Sequence, residues 1–166
     1  MTQVADEVHR HVAGMRRYAL VLTRNAHDAE DLVQEALTRA IAAADSWRPD
    51  SDLRVWLFRI LHNAHVSNLR KQKVRRDAQI DLPEPVVEET QSRRMEVRQV
   101  LEALDRIPEA QRRPIVLVAL EEMSYADAAE ALDLPLGTFM SRLGRGRQAL
   151  RQALGDMKTA KLRLVM

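Results

Sequence analysis

Along most of this chain, apolar residues recur at three- and four-residue steps or their sums, the spacing that places them on one face of an α-helix. Val4, Val8, Met15, Ala19 and Leu22 predict a first helix from Val4 to about Arg24. Leu32, Val33, Ala36, Leu37, Ala40 and Ile41 predict a second, with Asp28, Glu30 and Asp31 crowding its first turn, where the helix dipole favours negative charge. From Ala44 to Asp52 the pattern breaks at Pro49 and several cap-forming residues, which predicts a loop closing on an N-cap at Ser51 or Asp52. The third helix is expected from Leu53 to about Arg76, its stripe running through Leu53, Trp56, Leu57, Ile60, Leu61 and Ala64 toward Val66 and Leu69.

Periodicity then stops. Between Asp77 and Gln91, Asp81, Glu84, Glu88 and Glu89 accompany Pro83 and Pro85, a composition that buries little and reads as a flexible acidic linker. It divides the chain into residues 1–76 and 92–166, each near the lower size at which one core is self-sufficient. In the second part, Met95, Val100, Leu101, Leu104 and Ile107 predict a fourth helix ended by Pro108. A fifth runs through Ile115, Val116, Val118, Ala119 and Leu120, with Pro114 expected in its first turn. Ser124-Tyr125-Ala126-Asp127 fits a capping box opening a short sixth helix to about Leu132. Asp133-Leu134-Pro135 makes a tight turn, and a seventh helix carries Phe139, Leu143, Leu150 and Leu154 from about Leu136 to the tail. No strand-type alternation intervenes, so the fold class is all-α: two small helical domains joined by a linker.

Composition agrees with a globular chain: of 166 residues, 46% are hydrophobic and 30% charged, too apolar for a disordered protein. No apolar run approaches the ~18 residues of a membrane span, so no membrane insertion is expected. Asp6, Glu7 and His9 come too early for a secretion signal, and cytoplasmic localisation is the expectation. The absence of cysteine excludes disulfides, thiolate metal sites and cysteine nucleophiles.

Charge is informative through its placement. The formal net charge is only +2, yet Lys71, Lys73, Lys158 and Lys161 are the sole lysines among 26 basic residues, leaving 22 arginines. Arginine's planar fork suits phosphates and guanine edges. Between Thr138 and Arg151 there are four arginines and no acid, while Phe139, Leu143 and Leu150 fall on the opposite stripe. Two short helices joined by a tight turn, the second basic, match a helix-turn-helix, although an αα-hairpin with a solvated basic face has the same pattern. The charge asymmetry favours DNA. From Leu53 to Arg76 there are seven basic residues and no acidic one, and Trp47 in the preceding loop offers a stacking surface for unpaired bases. The acidic face from Asp28 to Glu35 is equally a solvated surface or a docking surface on these grounds.

Three strings, Leu22-Thr23-Arg24-Asn25-Ala26-His27-Asp28-Ala29-Glu30-Asp31-Leu32-Val33-Gln34-Glu35, Trp56-Leu57-Phe58-Arg59-Ile60-Leu61-His62-Asn63 and Leu136-Gly137-Thr138-Phe139-Met140-Ser141-Arg142-Leu143, closely resemble the extracytoplasmic-function (ECF) sigma factors of bacterial RNA polymerase. The resemblance covers nearly the whole chain in order. It implies sigma region 2 over residues 1–76, a linker over 77–91 and sigma region 4, a helix-turn-helix, over 92–166. It assigns docking on the polymerase β′ clamp helices to Asp31, Leu32, Gln34 and Glu35, with the β subunit as a further core contact. It puts Trp47 and Asn63 at the pocket for a base flipped from the melted −10 element, with Arg54, Arg59, Arg70 and Lys71 on phosphates or opening the duplex. In the −35 element it points Met140, Ser141 and Arg145 at bases and Thr138, Arg142 and Arg147 toward the backbone. Promoter DNA, core polymerase and an anti-sigma factor are the implied partners, and no cofactor is implied.

The chain departs from the family pattern at Met140, where lysine or arginine is frequent, at Ala128, where isoleucine is common, and at Pro114. Gly144 and Gly146 each lower intrinsic helix stability by up to ~1 kcal/mol relative to alanine, Gly146 with a possible gain in close packing. His62 and His65, three apart, have a spacing open to metal but no third ligand, and read as polar or DNA-facing positions. No phosphate loop or nucleophile elbow is present, so catalysis belongs to the polymerase. Two rival readings are a sigma-like protein that sequesters an anti-sigma factor, with no need of the arginine-rich helix, and a free-standing repressor, with no need of the acidic one.

Overall fold

The computed structural model describes residues 3–77 and 93–165, with side chains from 4 to 74 and from 98 to 156. Within them the architecture is all-α, divided into two compact units. The first carries α1 (Gln3–Glu7), α2 (Val12–Thr23), α3 (Ala26–Ala42) and α4 (Leu53–Asp77). The second carries α5 (Arg93–Asp105), α6 (Glu109–Ala119), most of α7 (Tyr125–Ala131) and α8 (Leu136–Val165). The acidic linker expected over 77–91 lies outside the described residues except for Asp77, the last residue of α4.

In the first unit α2, α3 and α4 pack on one another. The single first helix expected from Val4 to Arg24 is instead broken: a 3-10 turn at Val8–Arg10 separates α1 from α2, and His11 serves as the N-cap of α2. The apolar spacing survived the break because Val4, Met15, Ala19 and Leu22 are all buried, Val8 being half-buried. Arg24, in the left-handed conformation at φ 57°, ends α2, and Asn25 starts α3 by accepting a hydrogen bond from the Asp28 amide at 3.0 Å. That cap satisfies one of the unpaired amides at the helix start. At α4 the same role falls to Asp52, whose Oδ1 accepts from the Arg54 amide at 2.8 Å, so of the two expected caps it is the one used.

Leu32, Val33, Ala36 and Ala40 bury the inner face of α3, whereas Ile41, placed in that stripe by spacing, is 57% exposed. On α4 the buried set is Leu53, Leu57, Leu61 and Ala64 as expected, joined by Val55 and Phe58; Trp56 and Ile60 are only half-buried. A helix packed against two neighbours buries more than one stripe. The same packing buries His62 and His65, so of the two readings, polar or DNA-facing, the DNA-facing one is corrected. Tyr18, unmarked by the pattern, lies fully buried with its ring 5.7 Å from that of Phe58.

In the second unit α8 packs on α5 and α6. Ala103, Leu104 and Ile107 are buried, but Val100 is exposed, as is Leu120 beyond the end of α6. Pro108 caps α6, so Pro114 falls in its second turn, not its first, where it is buried with Ile115, Val116 and Leu117. The Ser124 hydroxyl accepts from the Asp127 amide at 3.1 Å, the arm of the capping box that opens α7. Asp133 turns the chain into α8 at φ 56°, a conformation short acidic side chains tolerate. Gly146 explains the close approach of α6 and α8: a Cβ there would lie 2.6 Å from the Gln111 carbonyl oxygen and 2.9 Å from Ile115 Cδ1. Gly144 faces open space.

Candidate nucleic-acid interface

The N-terminal half of α8 has two chemically distinct sides. Phe139, Leu143 and Gly146 are buried inward. Thr138, Met140, Ser141, Arg145 and Arg147 are exposed, and Arg142 is half-buried. Thr138, Ser141 and Arg145, at helical steps of three and four, share one outward face. With no acid between Thr138 and Arg151, the positive field of this face is not cancelled along the helix itself. Arg147 has a neighbour absent from any sequence pattern: its guanidinium lies 5.8 Å from the Tyr125 ring centre, and its Nη1 donates to the Tyr125 hydroxyl at 3.3 Å.

On α4, Arg59, Asn63 and Arg70 follow steps of four and seven and so share a stripe. Asn63, Arg70 and Lys71 are exposed. Arg54 lies apart from that stripe, with its guanidinium 5.7 Å from the buried Phe58 ring. Its charge also acts on His11, which is held below the ordinary histidine value first by burial and then by Arg54. Trp47 follows a 3-10 turn at Ala44–Ser46 and is half-buried; among the described residues its indole Nε1–H is buried without an acceptor. A buried donor left unsatisfied is costly, and such a group favours a conformation or ligand that supplies an acceptor.

The face of α3 is less uniform than its sequence. Asp31 is exposed, 3.5 Å from His27. Gln34 is exposed, and its amide donates to Glu30 Oε1 at 3.2 Å. Glu30 in turn is gripped by Arg16 from α2, Nε on Oε2 at 2.9 Å and Nη2 on Oε1 at 3.0 Å. Hydrogen bonds from Arg16 and then Gln34 hold the Glu30 carboxyl below the usual carboxylate range, and the same pairing raises Arg16. Glu35 accepts from Arg39 with Oε1 and from Asn68 of α4 with Oε2 at 2.9 Å, which ties α3 to α4. Leu32 is 3% exposed and packs in the core, so it stands behind this face and is no part of it. Sequence spacing could not reveal the Arg16–Glu30 and Glu35–Asn68 pairs, because their members lie on different helices.

No described helix is long and apolar enough to cross a membrane, and no cluster of three or more His, Asp or Glu side chains of metal-binding type occurs among the described residues.

In the second unit a short helix, a tight turn and a longer basic helix follow one another in the order of a helix-turn-helix. Residues 8–62 match the family model for the Sigma2 domain of PhyR, and residues 97–150 match that for sigma-70 region 4. The chain is 37% identical over 147 residues to the ECF RNA polymerase sigma factor EcfG of Rhodopseudomonas palustris, spanning 87% of this chain and 81% of that one. It is 31% identical to the sigma factor RpoE of Bartonella quintana, solved in complex with the anti-sigma factor NepR, with a TM-score of 0.79 over 91% of this chain and 96% of that one. The anti-anti-sigma factor PhyR of the same organism, also solved with NepR, shares the fold at 16% identity and a TM-score of 0.60, over 90% of this chain and 50% of that one. The chain belongs to the ECF sigma factors of bacterial RNA polymerase.

Proposed function

We propose that this sigma factor docks on the β′ clamp helices of core polymerase through the exposed face of α3, with Asp31 and Gln34 in direct contact and the β subunit as a second attachment. Glu35 supports that face through Asn68 and Arg39. The first unit then holds the melted −10 element, with Trp47 and Asn63 at the flipped base and Arg59, Arg70 and Lys71 on phosphates. In the second unit α8 enters the major groove of the −35 element, Met140, Ser141 and Arg145 toward bases and Thr138, Arg142 and Arg147 toward the backbone. Met140, 43% exposed, suits apolar contact with a thymine methyl. The observation that carries this reading is the two-sidedness of α8: aromatic and aliphatic inward, arginine and hydroxyl outward. The polymerase supplies the chemistry, and the protein works where the polymerase does, in the cytoplasm.

The RpoE relative is bound by NepR, which supports an anti-sigma factor as the inhibitor of this chain too. The match of residues 8–62 to the PhyR domain favours one rival, a sigma-like protein that titrates an anti-sigma factor without driving transcription. Such a decoy does not need the arginines of α8. Run-off transcription with core polymerase and a genomic promoter library separates the two. Discrete start sites that depend on this chain are expected; absence of both core binding and transcripts would end this reading and favour the decoy, which needs no core polymerase.

A further inference from the structure

Tyr125 begins α7, the bracing helix, and its side chain reaches across to α8. Its ring lies 6.2 Å from the buried Phe139 ring, tilted 46° to it. Arg147 is in both cation–π and hydrogen-bond reach of it. An exposed arginine ordinarily samples many rotamers, and ordering it on DNA costs conformational entropy. A side chain already laid on an aromatic surface has less freedom to lose. A guanidinium carries five N–H donors, and the Tyr125 hydroxyl engages Nη1 alone, so the contact with Tyr125 does not use up the donors a phosphate would need.

We infer that Tyr125 is a positioning residue for −35 binding: it holds the Arg147 guanidinium in the orientation that meets a phosphate, and acts on DNA through that arginine. The inference rests on the proposed backbone role of Arg147. It gives α7 a part in DNA binding beyond bracing. A stacked arginine with a hydroxyl partner is also a site where lysine does not substitute, since an ammonium lacks the planar fork.

The test uses holoenzyme assembled from core polymerase and the full chain on a promoter fragment recovered by run-off selection, titrated across salt concentrations. Arg147→Ala is expected to lower the slope of log affinity against log salt by ~0.9, the signature of one lost phosphate contact. Tyr125→Leu is expected to lower the slope nearly as much, and to add nothing in the Arg147→Ala background. Tyr125→Phe keeps the ring and loses the hydroxyl, so a weakening of about twofold to fivefold is expected. Thermal melts of each variant report folding, and Tyr125→Phe retains the Phe139 contact should Tyr125→Leu melt early. Losses from Tyr125→Leu or Tyr125→Phe that persist in full in the Arg147→Ala background would show Tyr125 touching DNA on its own account and overturn the proposal. Promoter binding by the parent chain that no Tyr125 variant alters overturns it as well, while leaving the sigma reading intact. Failure of the parent holoenzyme to bind any promoter overturns both.

Discussion

Two helices of this protein expose charge, and they do so differently. On α3 the acids are partly engaged at home: Glu30 is held by Arg16 and Gln34, Glu35 by Arg39 and Asn68, and Asp31 is near His27. On α8 the arginines face outward, and the described contacts of its first half are confined to Arg147 on Tyr125 and to the buried inner face. The contrast separates two ways of building a charged surface. A face stitched into its own bundle is preorganised, and damage to it spreads to the fold. A face carried on a helix with a separate buried side can vary its outward residues at little cost to stability.

The largest effect on stability is expected on the inner side of α8. Gly146→Ala puts a Cβ 2.6 Å from the Gln111 carbonyl, and backbone cannot yield as a flexible side chain can. Overpacking of this kind costs ~1–3 kcal/mol, and the gain of up to ~1 kcal/mol in helix propensity offsets only part of it. Denaturant melts should show that loss for Gly146→Ala and a gain for Gly144→Ala, which has open space. Equal behaviour of the two glycines would mean α6 and α8 are not in close contact.

On the outer side, Arg145→Ala should leave the melting temperature nearly unchanged and weaken recognition at one or two −35 positions by ~1–3 kcal/mol. A uniform loss on every sequence would identify a phosphate contact instead. For α3 the comparison predicts mixed effects. Glu35→Ala removes the acceptor of Asn68 and Arg39, and should cost ~1 kcal/mol of stability as well as core affinity. Asp31→Ala, at an exposed side chain 3.5 Å from the exposed His27, should lower core affinity with stability unchanged within ~0.5 kcal/mol. If Glu35→Ala and Asp31→Ala alter stability alike, the stitching of α3 is not structural.

The smallest effect is titration of His11. Its folded value lies below the ordinary 6.5, so the unfolded chain binds the proton more readily. Stability from this group is therefore full above 6.5 and falls as pH drops below it toward the folded value. His11→Gln should flatten that part of the pH-stability curve, and an unchanged curve would show that the burial and the Arg54 charge do not act on His11 in solution.

Most of the helical pattern was legible in the sequence, because spacing of apolar residues follows from helix geometry alone. The loop before α4, its cap at Asp52, the Ser124 cap and the turn at Asp133 were legible for the same local reason: a short side chain or a strained turn leaves a chemical signature within four residues. Spacing failed at Ile41, Val100, His62, His65 and Tyr18, where burial depends on how many neighbours a helix has and on which sides. The break at Val8–Arg10 was hidden because a 3-10 turn can leave the apolar phase intact. Of the candidate site, the residue types and their order were legible. What they are joined to was not.

From the sequence alone it follows that this is an all-helical protein with acid-free basic runs on two helices and an acidic face on another, and the family motifs are there too, because composition and local periodicity are properties of neighbours in the chain. Helix packing is what puts Leu32 in the core, ties Glu35 to α4 and Glu30 to α2, brings Gly146 against Gln111 and sets Arg147 beside Tyr125. Each of these joins residues far apart in the chain, and long-range partners are chosen by the packing of whole helices, for which no short segment holds the information.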